Sequence, residues 1–126
     1  MITKENFKSD IAFQRYPGVK DTLKSVLEEM KEWADEKKLP FLITATVSTH
    51  DEDLELERIS LTHVEGRAAD ISVRGWDEES IQEFRNYFGA IHADIAAMNA
   101  AGEKRLVVYH DNGNGLHFHV QIRPGV

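Results

Sequence analysis

The chain has 126 residues, enough for one domain and too few for two of ordinary size. It has no cysteine, which excludes disulfides, iron–sulfur clusters, thiolate zinc fingers and cysteine nucleophiles, and leaves His, Asp and Glu to hold any metal. With 22 acidic residues against 15 basic ones, its net charge of −7 opposes non-specific binding to nucleic acid or to an anionic membrane surface.

Residues 1–18 show no clear period and end in Tyr16-Pro17-Gly18, a turn signal, so they read as a leader strand or loop. Neither a signal-peptide pattern nor a run of about 18 apolar residues occurs, and a soluble product made in the cytoplasm is expected. From Val19 the period becomes helical, with Val19, Leu23, Val26, Leu27, Met30 and Trp33 on one stripe and Pro40 as the stop. Residues 41–47 are β-branched and aromatic enough for a buried strand. The acidic stretch Ser48–Arg58 lacks the EF-hand order of ligands around a glycine and reads as a solvated loop.

Residues 68–74 predict a second strand. Trp76-Asp77-Glu78-Glu79 opens a second helix whose stripe is Ile81, Phe84, Phe88, Ile91, Ile95 and Met98, with Gly102 as its closing residue. Strands are predicted at Arg105–His110 and Leu116–Arg123, joined by a turn over residues 111–115. This order predicts an α+β fold: a small, largely antiparallel sheet with helices packed on one face, in a single domain over residues 1–126.

Side chains alternate across a strand. In the last strand Leu116, Phe118, Val120 and Ile122 take one face, and His117, His119, Gln121 and Arg123 the other. Near residue 70, Ala69, Ile71 and Val73 oppose Asp70, Ser72 and Arg74. With the apolar faces on a shared core, Asp70, His117 and His119 look away from it, and His63 ends the polar loop. Two or three neutral imidazoles with one carboxylate suit zinc, with a coordination position left for water.

The segment His63-Val64-Glu65-Gly66-Arg67-Ala68-Ala69-Asp70-Ile71 resembles the H-x-x-G-x-A-x-D-I segment of the D-Ala-D-Ala metallopeptidases, phage endolysin peptidases among them. Gly115-Leu116-His117-Phe118-His119 is similar to the His-x-His of the related lysostaphin-type enzymes. The likeness covers roughly residues 18–123 and implies a hedgehog/DD-peptidase-like fold. It implies His63, Asp70 and His119 as zinc ligands and His117 as a catalytic residue beside the metal. The implied partner is a stem or cross-link peptide of bacterial peptidoglycan. Oligomeric state is left open. The chain departs from the family at Leu61, where many members carry Ser or Thr, and at Val47 and Ser48, where an arginine that holds substrate often stands. The Glu-x-Trp-His form of the last motif, whose Glu is the general base, is also missing. Arg58, Arg67 and Arg123 are candidates for the absent arginine, with Arg67 the substrate-binding candidate.

The expected chemistry is metal-assisted amide hydrolysis with proton transfer by His117, Glu65 and Asp111 being weaker candidates for the base. One alternative is a catalytically weak or inactive zinc-binding relative that serves as a structural or binding domain, for example in a phage particle. The other is a metal-dependent phosphoesterase, which the acidic composition opposes.

Overall fold

Two amphipathic stretches supply the long helices. A computed structural model, which describes residues 1–56, 60–111 and 115–126, folds Asp21–Glu36 into α2 and Glu78–Ile91 into α4. The α2 stripe is buried at Leu23, Val26, Leu27 and Met30, and the α4 stripe at Ile81, Phe84 and Phe88. The second helix is shorter than its sequence pattern predicts. Its last helical hydrogen bond runs from His92 N to the Phe88 carbonyl, and the chain then turns extended to pair with the C-terminal segment at Ala96 and Ile122. Ile95 and Met98 therefore lie outside the helix, Ile91 and Met98 are exposed, and Gly102 serves a tight turn between Asn99 and Glu103.

Among the described residues, four strands form one antiparallel sheet in the order β1-β2-β4-β3: β1 is Ile43–Ala45, β2 Ala68–Ser72, β3 Val107–Asp111 and β4 Leu116–Gln121. The register sets Ile71 opposite Phe118 and Asp70 opposite His119 on one side of β4, and Tyr109 opposite Phe118 and His110 opposite His117 on the other. Ala69, Ile71, Phe118 and Val120 join the core with α2 and α4, and Phe84 stacks on Phe118 at 4.5 Å between ring centroids. The fold is thus α+β with a small antiparallel sheet, as the order of elements predicts. Leu116, expected on the core face, is exposed at the sheet's end.

Residues 1–18 are not a strand or loop. Helix α1 (Asp10–Arg15), capped by the Ser9 hydroxyl accepting from Ala12 N, lies between short 3₁₀ turns. Phe7 is buried against α1 and bridges Ile43 in parallel, with Lys8 N donating to the Ile43 carbonyl at 2.9 Å. The acidic stretch is not simply a loop either. Thr49 and Glu52 form a reciprocal capping box that starts α3 (His50–Glu55). Arg58 and the middle of the 111–115 turn lie outside the described residues. Among those described, no helix is long and apolar enough to cross a membrane.

Candidate metal centre

His63 is held by backbone geometry. The turn over residues 62–67 closes with Gly66 N donating to the His63 carbonyl and Arg67 N to the Thr62 carbonyl. Gly66 has φ +74°, and a Cβ there would collide with the Gly18 carbonyl oxygen. Lys20 N donates to the Gly66 carbonyl, which fastens this turn to the start of α2. A bare glycine at position 66 is thus required twice over, by dihedral and by space. The result is a buried His63 beside β2, 3 % exposed.

The hydrogen bonds around the two ligand imidazoles decide where their lone pairs point. His63 Nδ1 lies 2.8 Å from the Thr46 carbonyl, which can only accept, so Nδ1 carries the proton. Its Nε2, then unprotonated in the neutral ring, faces Asp70 Oδ1 at 3.1 Å. Gln121 donates its amide to the Arg105 carbonyl at 3.0 Å, which turns its own oxygen toward His119 Nε2 at 3.1 Å. That oxygen places the His119 proton on Nε2, and His119 Nδ1 faces the same Asp70 Oδ1 at 2.9 Å. Two imidazole lone pairs and a carboxylate oxygen thus converge on one point. Acceptors so close repel one another unless a cation or extra protons lie between them. The ligand atoms of His63, Asp70 and His119 all fall within 4.8 Å of one another, so the three residues form a group able to hold a metal ion. Outer hydrogen bonds that fix tautomers in this way are the usual support of metal-bound histidines.

Asp70 is 5 % exposed. Burial by itself would raise its carboxyl, but in the metal-free protein a second proton on the His119 and His63 rings, placed on the nitrogens that face Asp70, lets both donate to it, and these hydrogen bonds and ring charges hold the group far below the usual carboxylate range. A permanent negative charge therefore sits at the centre. His117 Nδ1 donates to the Gly115 carbonyl at 3.0 Å, leaving Nε2 at 3.8 Å from Asp70 Oδ2, buried and with no hydrogen-bond partner among the described residues. His110, which no motif of the sequence marks, packs its ring 4.7 Å from that of His117 and 5.9 Å from that of His119. Burial, then the charge His117 and His119 can carry, push its imidazole down. The signal for it was in the hairpin: pairing across the turn sets residues 110 and 117 opposite one another.

Of the arginine candidates, the two among the described residues are committed to other partners. Arg67 donates to Glu65 and to the Ile122 carbonyl, at 2.8 and 2.7 Å. Arg123 donates to the Asp94 carbonyl. His92 pairs with Glu29 at 2.7 Å, and His50 opens α3. A cleft of about 950 Å³ runs from Asp70 and His117 toward Leu42, Leu116, Lys8 and Arg74. Among the described residues, the cations on its wall are therefore Lys8 and Arg74, which no local motif marks. No family model, curated protein or solved structure matches this chain.

Proposed function

We propose that the protein is a zinc-dependent peptidase of the hedgehog/DD-peptidase kind that hydrolyses a peptide bond in bacterial peptidoglycan. The observation that carries this reading is the convergence of the His63 and His119 lone pairs on Asp70 Oδ1. Two imidazoles and one carboxylate suit zinc with an open position, and the likeness of residues 63–71 and 115–119 to zinc peptidases supports the substrate. Bound zinc supplies Lewis acidity, which makes water nucleophilic near neutral pH. The protein's residues do the rest. The Thr46 carbonyl and the Gln121 amide orient the ligands. His117, its Nδ1 proton committed to the Gly115 carbonyl, offers Nε2 to take a proton from water and pass it to the departing amine.

The engagement of Arg67 by Glu65 and Ile122 favours a second reading, in which the domain binds zinc, turns over little and serves as a structural or binding piece. Incubating zinc-loaded protein with purified peptidoglycan and with a phosphodiester, with metal content measured in parallel, separates the readings. New amino groups released from peptidoglycan are the expected result. A fully loaded protein that releases none retires the peptidase.

A further inference from the structure

We infer that Lys8 and Arg74 form a carboxylate-binding end of the cleft, so that the peptide this site takes carries a negative charge on the Ser72–Arg74 side of the metal centre. The inference rests on the peptidase reading for its ligand being a peptide. Among the described residues, the charged side chains lining the cleft, apart from Asp70 and His117, are these two cations. That is notable in a chain of net charge −7.

Each cation has a fixed backbone and a free side chain. Lys8 N is bonded to the Ile43 carbonyl, and the preceding Phe7 is buried in the core. Arg74 sits in the turn closed by Trp76 N donating to the Val73 carbonyl, and its own N–H donates to the Ser72 hydroxyl. Gly75 at φ +87° lets that turn press on Pro40, where an added Cβ would meet the ring at 3.0 Å. The Trp76 indole donates to the Pro40 carbonyl and clamps it there. Among the described residues, neither Lys8 Nζ nor the Arg74 guanidinium has a carboxylate partner.

The sheet sets the spacing. Ser72 pairs with His117 and lies two residues from Asp70, roughly 7 Å along the strand. A peptide laid over this face with its scissile bond near Asp70 carries the next one to three residues to the two cations. Leu42, Val73 and Leu116 line the same stretch and give apolar contact to its side chains. The carboxylate can belong to the peptide's C-terminus or to an acidic side chain, and both pair with a lysine and an arginine in the same way.

The test is an NMR titration of the zinc-loaded chain with three short Ala/Gly peptides: one with a free C-terminus, its C-terminal amide, and the amide with one Glu in place of Ala. Cleavage is read in the same samples. At least one carboxylate probe should bind about tenfold tighter than the neutral amide. Lys8→Gln and Arg74→Gln should each lose about threefold of that advantage, and the double variant all of it, with zinc content unchanged. A gain for the free C-terminus alone marks an end-trimming cleft, and a gain for the Glu probe one that accepts internal segments; either supports the inference. Equal binding of all three probes, binding of none, or full preference in the double variant overturns it. A wild type that prefers a carboxylate probe and releases no amino groups from purified peptidoglycan retires the peptidase reading alone.

Discussion

Gln121 determines which nitrogen of His119 faces Asp70, because its own amide is committed to the Arg105 carbonyl. Gln121→Leu removes that orientation without touching a ligand, and zinc affinity is expected to fall about 10–100-fold in a chelator competition. His119→Ala should lose both metal and hydrolysis. His117→Ala should keep the metal and lose roughly two to four orders of magnitude in turnover, the usual worth of positioned proton transfer. The opposite pattern would exchange their roles. Metal uptake needs unprotonated imidazoles, so zinc affinity should weaken as pH falls through the histidine range. His110 gives a separate pH signature in the metal-free protein. Its imidazole is pushed down in the folded state, so the unfolded chain takes up protons first as pH falls below about 6.5. Stability should therefore drop from that pH until the folded-state value is passed. Denaturant melts of wild type and His110→Gln between pH 7 and pH 5 should show a shallower fall in the variant.

Among elements, the 62–67 turn carries the most consequence for its size. Gly66→Ala meets both a positive φ and the Gly18 carbonyl, costing about 1–3 kcal/mol from backbone strain before any collision. Because His63 rides on this turn, its zinc affinity should fall together with the melting temperature; an unchanged affinity would mean the turn does not position His63. Thr49→Ala, which opens the capping box of α3, should cost about 1 kcal/mol and leave zinc binding alone. The contrast between elements also explains what was legible in the sequence. Helices α2 and α4 announced themselves because each runs long enough to repeat its apolar period. Helices α1 and α3, with six residues each, complete fewer than two turns and show no stripe; only their caps, Ser9 and the Thr49–Glu52 pair, marked them. The end of α4 was misread because Ile95 keeps helical spacing while the neighbouring Ala96 pairs in the sheet.

At the scale of the whole molecule, the metal centre and the core lie on opposite faces of one sheet, so folding should not depend on the metal. The chelated protein is expected to melt cooperatively. Zinc at a hundred times its dissociation constant should add about 2.7 kcal/mol, or roughly 10 °C. An apo protein unfolded at room temperature would make the metal structural. Strand alternation made the common face of Asp70, His117 and His119 readable, and the choice of His63, Asp70 and His119 as ligands came from the resemblance of residues 63–71 and 115–119 to zinc peptidases. The Thr46 carbonyl was not, because backbone acceptors have no sequence identity. Nor were Lys8 and Arg74, which line one cleft because residues 7–8 return along β1 while the turn after β2 folds onto Pro40.

The two tryptophans of the chain share one aromatic cluster: Trp33 stacks on Trp76 at 5.9 Å, and Trp76 meets Phe118 at 5.3 Å. Phe118 points into the core while its sequence neighbours His117 and His119 belong to the metal face, so one strand separates the fluorophores from the ligands. Zinc has a filled d shell and does not quench light. Tryptophan emission should therefore track unfolding and stay silent to metal loading. A cobalt ion in the same ligands would add its own visible absorption, so occupancy and fold could be followed as two separate optical signals in one cuvette.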